Sequence, residues 1–338
     1  MDFELTEEQS MLADSCARLV RNRCGFEQRR ALVRTDPAAR PALWRDLAEL
    51  GVTALCVPED AGGLGRPLID GALVAQTLGR GWLLEPYVDC ALAAPAALRA
   101  GGVQTRVWLE GIASGDRIVV PLREASVQGG RVQASAAHAS YADALLAVAD
   151  GALWLVTADK TERRPYRQFD GTAAAEVRFA LADATELARG DAARATWEAA
   201  LTAARVGRIA EGVGLARAVL EITTEYLRTR KQFGQPIGRF QALAHRMADL
   251  LTLLEQAQSL ALAAAMRLDA RTVDAAQVMA HRALRTIGQQ AIQLHGGIGM
   301  TDELAVSHYV KRLLAIELEL GDADTVLARF AAAALAAS

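Results

Sequence analysis

Arg230-Lys231-Gln232-Phe233-Gly234-Gln235-Pro236-Ile237, followed by Phe240-Gln241, interrupts a C-terminal stretch that is otherwise helical in pattern. Gly234 suits a tight turn, and Pro236 lacks the backbone donor that a helix interior requires, so the preceding helix must stop here. On both sides the chain is almost free of proline and rich in Ala, Leu, Glu, Gln and Arg. From about Gly190 onward apolar residues recur at roughly the 3.6-residue helical period, over lengths that suit a bundle. The pattern predicts four long helices, with breaks near Gly234-Gln235-Pro236, near 269–272 and at Gly296-Gly297. The last stretch, 322–338, reads as an Ala-rich helix or a frayed tail.

Upstream the rhythm changes. Between 115 and 182 the apolar runs 117–122, 131–136, 144–149, 152–157 and 176–181 are short and bounded by Gly, Asp or Pro, the signature of a small antiparallel β domain. Residues 5–113 read as short helices and turns. Thr6-Glu7-Glu8-Gln9 is a capping box opening a helix with Met11, Leu12, Ser15, Cys16 and Leu19 at helical spacing. A second helix runs from Pro41 through Leu43, Trp44, Leu47 and Leu50 to Gly51, a residue suited to a left-handed C-terminal cap. A loop follows, Val57-Pro58-Glu59-Asp60-Ala61-Gly62-Gly63-Leu64-Gly65. The expected fold is mainly α with a small central β domain: an N-terminal helical domain over 1–114, a shortened middle β domain over 115–188, and a C-terminal helical bundle over 189–338.

A chain of 338 residues with 52% hydrophobic content and a formal charge of −3 can bury a substantial core and carries no electrostatic footprint for nucleic acid. Four cysteines, Cys16, Cys24, Cys56 and Cys90, fit neither a metal knuckle nor a secreted disulfide framework, and read as reduced thiols. The acidic opening Met-Asp-Phe-Glu is no secretory signal, and no apolar stretch approaches the roughly 20 residues that span a bilayer. The expected compartment is the cytoplasm. His281 and His295 lack the Glu-x-x-His spacing of a carboxylate-bridged metal centre and read as packing or hydrogen-bonding residues; no metal site is expected. Asp302-Glu303 reads as a helix start, where acidic groups favour the positive end of the dipole.

Three segments together carry a family resemblance. The 230–241 stretch resembles the RxxFG…FQ signature of acyl-CoA dehydrogenases, Gln293-Leu294-His295-Gly296-Gly297-Ile298-Gly299 resembles their QxxGGxG, and Pro58 to Gly65 resembles their P-E-x-x-G-G-x-G loop. They stand in the family's order and cover essentially the whole chain. The cofactor implied is FAD, whose doubly negative pyrophosphate wants a fixed guanidinium, amide donors and close-approaching backbone N–H groups. The resemblance makes Arg230, Gln241, Gln293, Gly296 and Gly297 cofactor-binding candidates, reaching across a subunit interface to the FAD of a neighbouring chain. The plainer alternative makes Arg230 and Lys231 a solvated helix end and Gly296-Gly297 a helix cap.

The resemblance also exposes departures. Acyl-CoA dehydrogenases remove the α-proton with a glutamate in a Y-E-G-T stretch while the flavin takes the β-hydride. In register from Gln293, that glutamate falls on Leu320, within Glu319-Leu320-Gly321-Asp322, and the family's second location falls on Ala204. Neither residue accepts a proton, which leaves Glu319, one position away, as the fallback base. In the middle domain the family's T-E-P-x-x-G-S and W-I-S/T segments, which hold the flavin ring, are missing. Leu122-Arg123-Glu124-Ala125-Ser126 stands in place of the first, and Trp154-Leu155-Val156-Thr157 echoes the second only as a core strand.

Three functions remain open at this point. The first is the subunit of a heteromeric acyl-CoA dehydrogenase that lacks the base, paired with a second subunit carrying the glutamate. It resembles the small subunits of bacterial enzymes that degrade steroid side chains as CoA thioesters, with an acyl-CoA substrate and an electron-transfer flavoprotein as acceptor. The second is a self-sufficient homo-oligomer using Glu319, and the third a non-catalytic assembly scaffold.

Overall fold

The structure is a computed structural model that describes residues 5–336, so the acidic first residues and the end of the 322–338 stretch lie outside the described residues. Along the chain come helices α1 (Glu7–Arg23), α2 (Phe26–Val33), α3 (Leu43–Glu49) and α4 (Leu68–Gly79), a π-helical turn Tyr87–Ala93, then α5 (Ala94–Leu98) and α6 (Arg106–Ser114). Strands β1 (Val119–Leu122), β2 (Ala125–Gln128), β3 (Arg131–Ala137), β4 (Ala144–Ala149), β5 (Ala152–Thr157), β6 (Glu162–Arg167), β7 (Ala173–Ala180) and β8 (Thr185–Arg189) follow. The rest is α7 (Asp191–Thr229), the short hairpin β9 (Lys231–Gln232) and β10 (Gln235–Pro236), then α8 (Gln241–Arg267), α9 (Ala270–His295), α10 (Ala305–Glu319) and α11 (Ala323–Ala336). Two compact units result. One holds Glu27–Val74 and Leu84–Gly207, and the other holds the described residues through Phe26, Ala75–Leu83 and everything from Arg208 on.

The α1 capping box forms as its sequence demands. Thr6 Oγ1 accepts from Gln9 N at 3.2 Å, while Gln9 Oε1 accepts from Thr6 N at 3.0 Å. Of its apolar stripe only Cys16 is fully buried and Met11 is exposed. Helix α3 starts at Leu43, two residues later than Pro41 suggests, and the chain leaves it through Gly51 at φ +78°, the left-handed cap expected.

The β region departs from an all-antiparallel reading. Strands β2-β3-β7-β6 form an antiparallel sheet, whereas in β1-β4-β5-β8 the β1–β4 pair is parallel. The β2–β3 excursion into the other sheet is the crossover that lets the chain return in the same direction. Strands β2, β6 and β8 escape the sequence pattern for one reason: each is a sheet edge. Edge strands keep one backbone side and much of their side-chain surface in solvent, so β6 tolerates Arg163, Arg164 and even Pro165. β1 is also an edge by pairing, but it is covered on both faces like the central β4, and both read clearly.

The bundle helices break at Gly234-Gln235-Pro236 and at Gly296-Gly297, and once more without glycine or proline. α8 ends with Leu268 in the left-handed region, and α9 restarts at Asp269, whose carboxylate accepts from Thr272 N at 2.9 Å. Asp302-Glu303 proves not to be a helix start. α10 begins at Ala305 and Asp302 is held instead by Lys311 Nζ at 2.8 Å.

Candidate functional site

Arg230 is the first residue beyond α7, and its N–H donates to Tyr226 O at 2.8 Å. Lys231 and Gln232 pair back with Pro236 and Gln235, with Phe233 (φ +52°) and Gly234 (φ +80°) as the two turn residues. Two successive positive φ values match the twist of a tight hairpin. Glycine accepts that geometry freely, but an aromatic residue held there costs on the order of 1 kcal/mol or more. Phe233 is nonetheless 90% exposed at the hairpin tip, its ring edge-on to Phe240 at 6.0 Å between centroids. The chain then folds back on α7: Ile237 N donates to Arg230 O at 2.9 Å, and a Cβ on Gly238 would lie 3.0 Å from Leu227 O. Gln241 thus opens α8 beside the end of α7. Its N-cap, Phe240, offers no side-chain acceptor; its carbonyl takes Leu243 N at 3.0 Å, so the N–H groups of Gln241 and Ala242 are the ones left without a cap.

The second half of the site sits at the end of α9. Gln293 is exposed on the last turn, and Gly296 adopts φ +67°, ψ −153°, a region essentially reserved for glycine. Gly297 is different: its φ is ordinary and a Cβ there would meet nothing within 4 Å. Nothing among the described residues demands glycine at 297. The two halves meet through Tyr226, whose ring stacks on His295 at 4.4 Å and whose hydroxyl donates to His295 O at 3.3 Å. Arg230, Gln241, Gln293, Gly296 and Gly297 therefore lie on the exposed ends of helices that the structure brings together. A guanidinium, two carboxamides, an uncapped helix start and two unobstructed glycines are a donor set that fits a dianionic pyrophosphate.

At the other candidate positions the chemistry is spent. Leu320 is 5% exposed at the end of α10, and its carbonyl accepts from Gln277 Nε2; Ala204 is buried within α7. Glu319 takes Arg312 Nη1 on Oε1 at 2.8 Å and has Arg208 Nε 2.6 Å from Oε2. Glu211 joins the same two arginines, Arg208 at 2.5 Å and Arg312 at 2.8 Å. Two guanidinium groups and two carboxylates so form a neutral quartet, buried except at the partly exposed Glu319, whose two oxygens both lie against arginine. One turn before Leu320, Glu317 pairs with Arg285 and lies 3.8 Å from His281 Nδ1. Burial holds His281 and His295 below the usual histidine range, so both are neutral packing residues at neutral pH.

The acyl-CoA dehydrogenase N-terminal domain model matches residues 6–116 and the C-terminal domain model matches 194–335. The chain belongs to the acyl-CoA dehydrogenase family. It is an oxidoreductase of that family, whose cofactor is FAD. Acyl-CoA dehydrogenase IpdE2 of Mycobacterium tuberculosis is 33% identical over 307 residues, covering 90% of this chain and 91% of that protein. FadE27 of the same organism is 30% identical over 375 residues, 97% of each. Among solved structures, the ChsE4–ChsE5 complex from Mycobacterium tuberculosis matches with a TM-score of 0.87 at 27% identity, over 98% of each chain. Butyryl-CoA dehydrogenase from Megasphaera elsdenii matches at a TM-score of 0.84 and 18% identity over 99% of this chain, which speaks for the fold alone. Among the described residues no helix is long and apolar enough to cross a membrane.

In this acyl-CoA dehydrogenase several polar side chains of the middle domain are engaged within the chain. Arg123, where the family's first flavin segment is missing, donates to Asp89 Oδ1 at 3.2 Å, and Asp89 in turn lies 3.8 Å from the buried His138. The outer face of the β2-β3-β7-β6 sheet alternates charge: Gln133 pairs in register with Arg178, which pairs with Glu162, while Arg131 donates to Glu162 at 3.2 Å. Trp154 sends its Nε1–H to Ala149 O at 2.9 Å and serves its own strand layer. The sequence reading quoted Phe233 only as part of its motif and did not reach Tyr226. The available signals were an aromatic residue beside glycine in a forced turn, and a tyrosine one helical turn before Arg230.

Proposed function

We propose that this chain is the subunit of a heteromeric acyl-CoA dehydrogenase that carries no base and completes the FAD site of a partner chain. The observation that carries the reading is the contrast between the end of α10 and the ends of α7, α8 and α9: Leu320 and Glu319 are shut away or paired, while Arg230, Gln241, Gln293, Gly296 and Gly297 are exposed. The similarity to IpdE2, and solved relatives named for pairs of chains, one of them a steroid ACAD, support it. Within the chain, 1–114, 115–188 and 189–338 act as helical, β and bundle domains.

Bound FAD supplies the hydride acceptor for α,β-dehydrogenation of an acyl-CoA thioester, with an electron-transfer flavoprotein downstream. Arg230 grips the pyrophosphate by a planar fork of donors, which also fixes its orientation. Gln241 and Gln293 add neutral N–H donors, and the glycines at 296 and 297 allow backbone approach. The partner supplies the glutamate that takes the α-proton. We place the complex in the cytoplasm. Burial pushes the thiols of Cys16, Cys56 and Cys90 up to about 12, and all four cysteines are free.

Flavin absorbance against protein mass in the co-purified complex tests the reading. One FAD per pair of unlike chains is expected, with no acyl-CoA turnover by this chain alone. One flavin on every chain, or turnover by the isolated chain that Glu319→Gln abolishes, would refute it.

A further inference from the structure

We infer that Tyr226 and His295 are positioning residues for the FAD site, setting the separation between Arg230 and the Gly296-Gly297 turn. The inference rests on the reading of that cluster as the pyrophosphate site. Its two halves are carried by different helices, and the hydrogen bond joining them spans 69 residues of sequence. Arg230 is fixed to Tyr226 by one turn of backbone, through its N–H on Tyr226 O. Gly296 is fixed to His295 by the peptide bond. Whatever sets Tyr226 against His295 therefore sets the guanidinium against the glycines.

The contact is tightly defined. The rings lie 4.4 Å apart at 26°, a stacked arrangement, and the Tyr226 hydroxyl reaches the carbonyl that directly precedes Gly296. The imidazole cannot rotate freely, because His295 Nδ1 lies 2.8 Å from Ala291 O. A carbonyl only accepts, so Nδ1 carries the proton and the neutral ring presents a flat face to Tyr226. Behind it the chain doubles back: a Cβ on Gly299 would fall 2.8 Å from His295 Cβ and 3.1 Å from Ile292 O. The stem of His295 thus sits against the Gly299 turn while its ring stacks on the phenol, and a shift of His295 moves Gly296 and Gly297 with it.

FAD titrated into the deflavinated, co-purified complex, followed by flavin fluorescence, provides the test. Tyr226→Ala should weaken FAD binding by about five- to tenfold, the worth of an aromatic pair, and Tyr226→Phe should stay within about twofold because the stack survives. If Tyr226 acts through Arg230, the Tyr226→Ala/Arg230→Ala double variant should bind FAD no more weakly than Arg230→Ala alone. Should Tyr226→Ala fail to fold, the same comparison is made with His295→Leu against His295→Phe. Losses that simply add, or an unchanged affinity in Tyr226→Ala, overturn the inference while leaving the site standing. A silent Arg230→Ala overturns the site reading and this inference with it.

Discussion

Two ends of one helical bundle carry the same kinds of side chain and differ in whether those side chains are already engaged. At the Arg230 end a guanidinium and two carboxamides stand exposed beside open glycines. At the Glu319 end two guanidinium groups and two carboxylates are folded into one another, with Arg208, Glu211 and Arg312 at most 1% exposed. Residue type alone would assign chemistry to both. Only the partners separate the two: one end leaves its polar groups exposed, and the other pairs them within the fold. The difference bears on proton acceptors above all: Glu319, one position from where a base is expected, has both its oxygens against arginine.

The comparison breaks most readily at Glu211. Replacing it with alanine leaves Arg208 and Arg312 buried against a single carboxylate, so the change should cost about 3–5 kcal/mol of stability, the usual result of stripping one partner from a buried pair. Urea unfolding measures it. A loss below about 1 kcal/mol would mean that the quartet is hydrated and that Glu319 is freer than its distances suggest.

At the open end the corresponding change leaves the fold alone. Arg230→Ala removes an exposed residue, and stability should hold. FAD retention in the complex should fall roughly ten- to a hundredfold, a charge-assisted contact of about 1.5–3 kcal/mol. Arg230→Lys should recover only part, since an ammonium cannot reproduce the fork. Equal retention in both variants would return Arg230 to the status of a solvated helix end.

How far the sequence reveals each end follows from the same physics. The hairpin at Gly234, the breaks in the bundle and the Thr6 capping box are local: each depends on a few adjacent residues whose backbone preferences are strong. Strands β2, β6 and β8 lie at sheet edges with much of their side-chain surface exposed, and their own polarity hides them. The parallel β1–β4 pair depends on a crossover that no local pattern announces. In the site, the motif residues were legible because their spacing is short. The engagement of Glu319 was not, because Arg208 lies 111 positions away from it in the chain. The Tyr226–His295 link, 69 residues apart, is long-range in the same way.

The smallest effect expected is an acid one, and it asks which end yields first. Burial holds the folded-state pKa of both His281 and His295 below the ordinary value of 6.5. The unfolded chain therefore binds protons that the folded chain refuses, and stability must fall as pH drops from about 6.5 toward those folded values. Above about 6.5 neither residue contributes any pH dependence. The two differ in what could rescue the charged form. His281 faces Glu317 on α10 and Asp322 beyond it, opposed by Arg285 on its own helix, while His295 has only the Ala291 carbonyl to favour its proton. The end that carries His281 should tolerate acid, and the stack of His295 on Tyr226 should not. Histidine NMR titration paired with FAD retention between pH 7.5 and about 5 separates them. FAD loss should follow the His295 titration and persist in His281→Gln. A loss that vanishes in His281→Gln would show that acid acts on the Glu319 end, and would couple the two regions that the geometry keeps apart.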